Sequence, residues 1–173
     1  MLKLLMTEQI INFTNKLLPD IKFESGDSFF WSPKQNKITY NESTIGSPIG
    51  SWSMLHEVAH AVMKHTNYSS DLGLLKLEVE AWDEAKKLGS KLGLTIDEDH
   101  IQDCLDTYRD WLHRRSTCPN CGIVCLQSTS RLYSCHNCST SWHVSASRFC
   151  RPYRLQIDDQ KQERPQVLTA TFL

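Results

Sequence analysis

No apolar run in this 173-residue chain approaches the roughly 20 residues that a membrane helix needs. The short Leu-rich patch of Met1 to Met6 is interrupted by Thr7 and Glu8 before a signal-peptide core can form, so the expectation is a soluble, cytoplasmic protein with no membrane partner. An excess of charge is also missing. Nineteen Lys and Arg stand against twenty Asp and Glu, a net charge of -1, which removes any whole-chain argument for binding polyanions. With 40% hydrophobic and 23% charged residues, the chain is neither a fibre nor a disordered tail. It has the length for one ordinary domain plus a small module. The sharpest absence is local. Trp111 to Arg154 contains six Arg and no Asp or Glu at all, whereas Met1 to Asp110 contains eleven basic and seventeen acidic residues, a net of -6. This break predicts a domain over 1–112, a linker at 113–117, a second module at 118–154 and a polar tail over 155–173.

The cysteines number seven, and four of them form two CxxC pairs, Cys118 with Cys121 and Cys135 with Cys138. An odd count arranged in this way reads as a metal site, not as disulfides. Cys104, Cys125 and Cys150 are then idle or buried thiols, with Cys125 a possible substitute ligand.

Hydrophobic spacing predicts an amphipathic helix over Thr7–Leu18, stopped by Pro19. Two β-prone runs, Ser28–Ser32 and Lys37–Tyr40, flank a turn at 33–36. After a loop from Asn41 to Gly50, a helix is expected over Met54–His65 with Ser53 as its N-cap. A third helical pattern runs from Leu72 to Leu92 and ends at Gly93. A fourth, capped by Thr95 or Asp97, carries the apolar face Ile101, Cys104, Leu105, Tyr108 and Leu112.

His56-Glu57-Val58-Ala59-His60 spells HExxH on the second of these helices. Residues four apart lie one turn above each other, so both imidazoles can reach one zinc ion at about 2.0–2.1 Å. Glu57 then flanks the metal, placed to take a proton from water as it attacks a carbonyl that the zinc polarises. Apolar flanks, a helix cap and a β-prone segment upstream support the motif against two merely structural histidines.

A catalytic zinc normally takes three protein ligands. The candidates are His65, Glu78, Glu80, Asp83 and Glu84. His65, if the helix persists, points about 140° away from His60. On the next helix Glu78 falls inside the apolar stripe of Leu74, Leu75, Ala81, Trp82, Ala85, Leu88 and Leu92. A carboxylate there is expensive unless a cation faces it. Glu78 is therefore favoured, with Glu80 as the alternative.

HEVAH followed by Glu78-x-x-Ala81-x-x-x-Ala85 resembles the small gluzincin metallopeptidases of the ImmA/IrrE type, over about Thr7–Gly93. The resemblance implies an α+β, zincin-like minimal metallopeptidase: an N-terminal helix, a short β-hairpin or sheet, the HExxH helix, the Glu helix and a further helix. It also implies Glu78 as third ligand and an edge strand that accepts an extended substrate, here Lys37, Ile38, Thr39 and Tyr40. The chain departs from the family after the Glu helix, where Glu84, Ala85 and a lysine-rich turn replace the usual continuation. Tyr40, Tyr68 and His65 are candidates for stabilising an oxyanion.

Cys118-Pro-Asn-Cys121-Gly and Cys135-His-Asn-Cys138, thirteen residues apart, have the spacing of a four-cysteine zinc ribbon, too small to bury a core without its metal. His136 and His143 are not needed as ligands. Arg114, Arg115, Arg131 and Arg148, with Arg151, Arg154 and interleaved aromatics, offer a basic face for nucleic acid or for a protein surface. A peptidase joined to such a ribbon also resembles the SprT and Spartan group in architecture, although no HG motif follows His60. The expectation is a zinc-dependent metalloendopeptidase with one catalytic and one structural zinc and a protein substrate, which by resemblance would be a DNA-bound regulator. The alternative is a nucleic-acid- or protein-binding adaptor whose peptidase half is weakly active or inactive.

Overall fold

The computed structural model describes residues 2–145 and 154–157, which form four helices and two sheets in a mixed α+β arrangement. The chain divides into two compact units, one ending at Arg109 and the other beginning at Asp110. Among the described residues no helix is long and apolar enough to cross a membrane.

In the first unit, α1 (Leu2–Leu17) starts before the expected Thr7, buries Ile10, and seats the buried Thr14 hydroxyl on the Ile10 carbonyl at 2.8 Å. Three strands follow: β1 (Lys22–Gly26), β2 (Phe30–Ser32) and β3 (Lys37–Asn41). β2 and β3 form the expected antiparallel hairpin, and Asn36 takes φ 48° in its turn. The third strand is new. β1 has only Phe23 half-buried and so lacks an alternating pattern; it is made by parallel pairing with β3, Phe23 opposite Ile38. This corrects the assignment of Lys37, Ile38, Thr39 and Tyr40 to a substrate-binding edge. The sheet order is β1-β3-β2, so β3 is the central strand and its backbone groups are engaged on both sides. The edges are β1 and β2.

Helix α2 (Pro48–Val62) begins six residues before the expected Met54. Its cap is Ser47, whose hydroxyl accepts from Gly50 N at 3.0 Å, and Pro48 occupies the first turn, where its missing N–H costs nothing. Ser53 instead donates to the Ile49 carbonyl. α3 (Asp71–Lys91) is capped by Ser70 and closes at Gly93, whose φ of 70° lets Leu94 N reach the Gly89 carbonyl. α4 (Glu98–Ser116) is capped by Asp97, which accepts from Asp99 N. Residues 113–116, expected in a linker, are its last turn. Met54, Leu55, Val58, Ala59, Ala81, Ala85 and Leu88 pack with Ile10, Ile38, Ile101 and Leu105 into one core.

The second unit holds an antiparallel sheet in the order β4 (Gln127–Thr129), β5 (Leu132–Ser134), β6 (Ser141–Val144), β7 (Arg154–Ile157). The expected tail therefore starts with a strand, since Leu155–Ile157 pair with β6. Its remainder, with Arg148, Cys150 and Arg151, lies outside the described residues. Trp142, fully buried, stacks on Tyr133 at 5.5 Å and donates its indole N–H to the Arg115 carbonyl at 2.9 Å. The Arg115 guanidinium lies 4.4 Å from the Trp111 ring and donates to the Ser145 carbonyl. With 1% exposure Arg115 is part of this small core, so it is withdrawn from the nucleic-acid-binding set.

The start of α2 tolerates no added volume, because a Cβ at Gly50 would lie 2.1 Å from the Thr44 carbonyl oxygen. Gly50→Ala should cost about 1–3 kcal/mol, read as a lower midpoint of thermal unfolding followed by circular dichroism.

Candidate metal centre

Helix α2 presents His56 and His60 on one face, and α3 brings Glu78 against them. His56 Nε2 lies 3.1 Å from Glu78 Oε2, His60 Nε2 lies 3.1 Å from His56 Nε2 and 3.7 Å from Glu78 Oε2. Three donors bound to one tetrahedral ion at 2.0–2.1 Å would be separated by about 3.3 Å. The arrangement fits a metal ion, and these three residues form one of two such groups among the described residues. Glu78 is 6% exposed in an apolar core. Burial pushes its carboxyl pKa up, but hydrogen bonds and charge from His56 and His60 outweigh this and hold it well below the ordinary range. Glu80, the alternative ligand, is displaced to a half-exposed position 3.8 Å from His65 Nε2 and 3.7 Å from Lys76. Asp83 and Glu84 pair with Lys86 and Lys87.

Glu57 sits one residue on from His56, and its Oε2 accepts the backbone N–H of Trp31 on β2 at 2.8 Å. The same tryptophan donates its indole N–H to the His65 carbonyl at 3.0 Å. His56 Nδ1 is buried without a hydrogen-bond partner among the described residues; its ring stacks on Trp82 at 4.2 Å and 28° instead. Trp31 and Trp82 were legible only as strand and core residues, because their roles depend on elements distant in sequence. Of the oxyanion candidates, Tyr40 packs beside the core on β3, Tyr68 is 46% exposed, and His65 contacts His60.

Comparison of the chain with family models, curated proteins and solved structures returns no match.

The second group is the four-cysteine cluster. Cys118 and Cys138 have sulfurs 3.6 Å apart, Cys121 and Cys135 3.5 Å, near the roughly 3.8 Å expected of thiolates around one tetrahedral ion. The two CxxC turns share one geometry. Cys118 N donates to the Ile123 carbonyl and Gly122 N to the Cys118 carbonyl; Cys135 N donates to the Thr140 carbonyl and Ser139 N to the Cys135 carbonyl. Gly122 at φ 74° and Ser139 at φ 60° occupy equivalent left-handed positions. Hydrogen bonding from Thr140 lowers the Cys138 thiol pKa to about 6 and a backbone hydrogen bond with Ile123 lowers that of Cys121, toward the ligating thiolate, whereas burial raises that of Cys118 and that of Cys135 is raised as well. Cys125 is buried beside the Ile123 carbonyl and does not join the group. Arg114 and Arg131 are exposed, Arg114 within 3.6 Å of Asp110 and Arg131 in the β4–β5 turn at φ 61°.

Two independent groups predict two ions per chain. Elemental mass spectrometry should find two in the wild type, one in a His56→Ala, His60→Ala double variant, and one in a Cys118→Ser, Cys121→Ser double variant.

Proposed function

We propose that the chain is a zinc metalloendopeptidase with a zincin-like catalytic unit and a structural zinc ribbon, acting on an intracellular protein. The observation that carries this reading is the convergence of His56, His60 and Glu78 donors beside Glu57. The order of α1, sheet, α2 and α3 agrees with the ImmA/IrrE resemblance, and two CxxC turns free of disulfides suit a reducing compartment.

Zinc held by His56, His60 and Glu78 would polarise the scissile carbonyl and acidify a neighbouring water molecule. Glu57 is the general base: its carboxylate takes the proton from the attacking water and returns it to the departing amine nitrogen. The Trp31 N–H donates to Oε2 and so orients the Glu57 carboxylate. Since β3 is enclosed, an extended substrate strand would have to add to an outer edge of the sheet, and on β2 the Trp31 N–H is already taken by Glu57. Exposed Arg114, Arg131 and Arg154, within the acid-free span from Trp111 to Arg154, support a recruiting role for the ribbon toward a DNA-bound regulator. The same arginines favour the second reading, an adaptor in which that surface is the function and cleavage is incidental.

Glu57→Gln separates the two. Loss of peptide cleavage by a factor of about 10²–10⁴, with zinc content unchanged by elemental analysis, is the expected result; unaltered biological function in the variant would favour the adaptor.

A further inference from the structure

We propose that His65 is the positioning residue of the candidate metal centre, holding the His60 ring through an imidazole–imidazole hydrogen bond; this rests on the metal-site reading above. His60 Nδ1 and His65 Nδ1 are 2.9 Å apart, with ring centroids at 5.0 Å and an interplanar angle of 71°. A continuing helix would turn His65 away from His60. The chain does not continue. α2 stops at Val62, Lys64 takes φ 56°, and His65 N reaches back to the His60 carbonyl at 2.9 Å. This left-handed closure folds residue 65 over residue 60. The Trp31 indole then pins the His65 carbonyl from β2, and Glu80 Oε2 lies 3.8 Å from His65 Nε2.

The contact falls on the far side of the His60 ring from the other ligands. Nε2 is the atom 3.1 Å from His56 Nε2 and 3.7 Å from Glu78 Oε2, so His65 cannot share their ion. A ligating Nε2 must be unprotonated, which puts the His60 proton on Nδ1, and His65 Nδ1 accepts it. The remaining His65 proton, on Nε2, faces the Glu80 carboxylate. A hydrogen-bond acceptor behind a ligating imidazole fixes its tautomer and ring angle and raises its donor strength. Glu80, weighed above as a ligand, here supports the ring that supports the ligand. His56 has no equivalent acceptor among the described residues; its ring is stacked on Trp82 instead.

The test is zinc affinity of the full-length chain, measured by competition with a chromogenic chelator, together with the visible absorption of cobalt bound in place of zinc. His65→Ala should weaken the first site by about 10–100-fold and alter the cobalt spectrum, while the four-cysteine ion stays bound and the far-ultraviolet circular dichroism is kept. His65→Asn, which returns an oxygen acceptor near the Nδ1 position, should recover most of the affinity and the wild-type spectrum. His65→Ala binding as tightly as wild type overturns the proposal, as does an Asn variant no better than Ala. Loss as complete as that of His60→Ala would make His65 a ligand and also overturn it. A wild type that takes up no ion at this site removes the metal-site reading itself, and this inference with it.

Discussion

The constraint on which the first unit depends is a carboxylate in an apolar core. Glu78 lies on the same face of α3 as Ala81, Trp82 and Ala85, where an uncompensated charge would cost several kcal/mol. His56 and His60 face it from α2, and each helix is therefore held in register against the other by polar atoms as well as by the Leu55, Val58, Ala59, Ala85 and Leu88 packing. Removing either histidine leaves a buried charge with half its partners.

Around this centre the sheet contributes Trp31 of β2. Trp31 makes two hydrogen bonds, one to the Glu57 carboxylate and one to the His65 carbonyl, so Glu57 and the segment behind His60 share one anchor. Trp82 supports His56 from the opposite direction by stacking and in turn meets His100 of α4 edge-on at 5.7 Å. The candidate centre is thus held by groups from β2, α2, α3 and α4, drawn from Trp31 to His100 in the sequence.

The second unit solves a different problem with the same kind of donor convergence. Its buried apolar cluster is small: among the described residues Cys118, Cys125, Tyr133, Cys135, Trp142 and Val144. A core of that size gives little stability, so four thiolates brought together by two equivalent turns are the natural source of the rest. A buried Arg115 is unusual in so small a core, and it is accommodated by the Trp111 face and the Ser145 carbonyl.

Several parts of this arrangement were legible in the residues alone. HExxH and CxxC are local patterns, in which helix pitch or a tight turn converts spacing directly into shared direction, and the position of Glu78 in an apolar stripe marked it before any contact was known. The helices α3 and α4 and the β2–β3 hairpin follow from the same local rules. By itself the sequence determined the donor sets, the elements that carry them and the break in charge between the units. Only the tertiary structure decided that β3 is enclosed by β1, that Arg115 is interior, that the α2 helix reverses at Lys64 to bring His65 onto His60, and that Trp31 ties β2 to both. Each of these is a pairing between residues far apart in the chain, or a helix end set by what it meets. Periodicity, which reports only which face of an element is apolar, does not specify the partner that face will find.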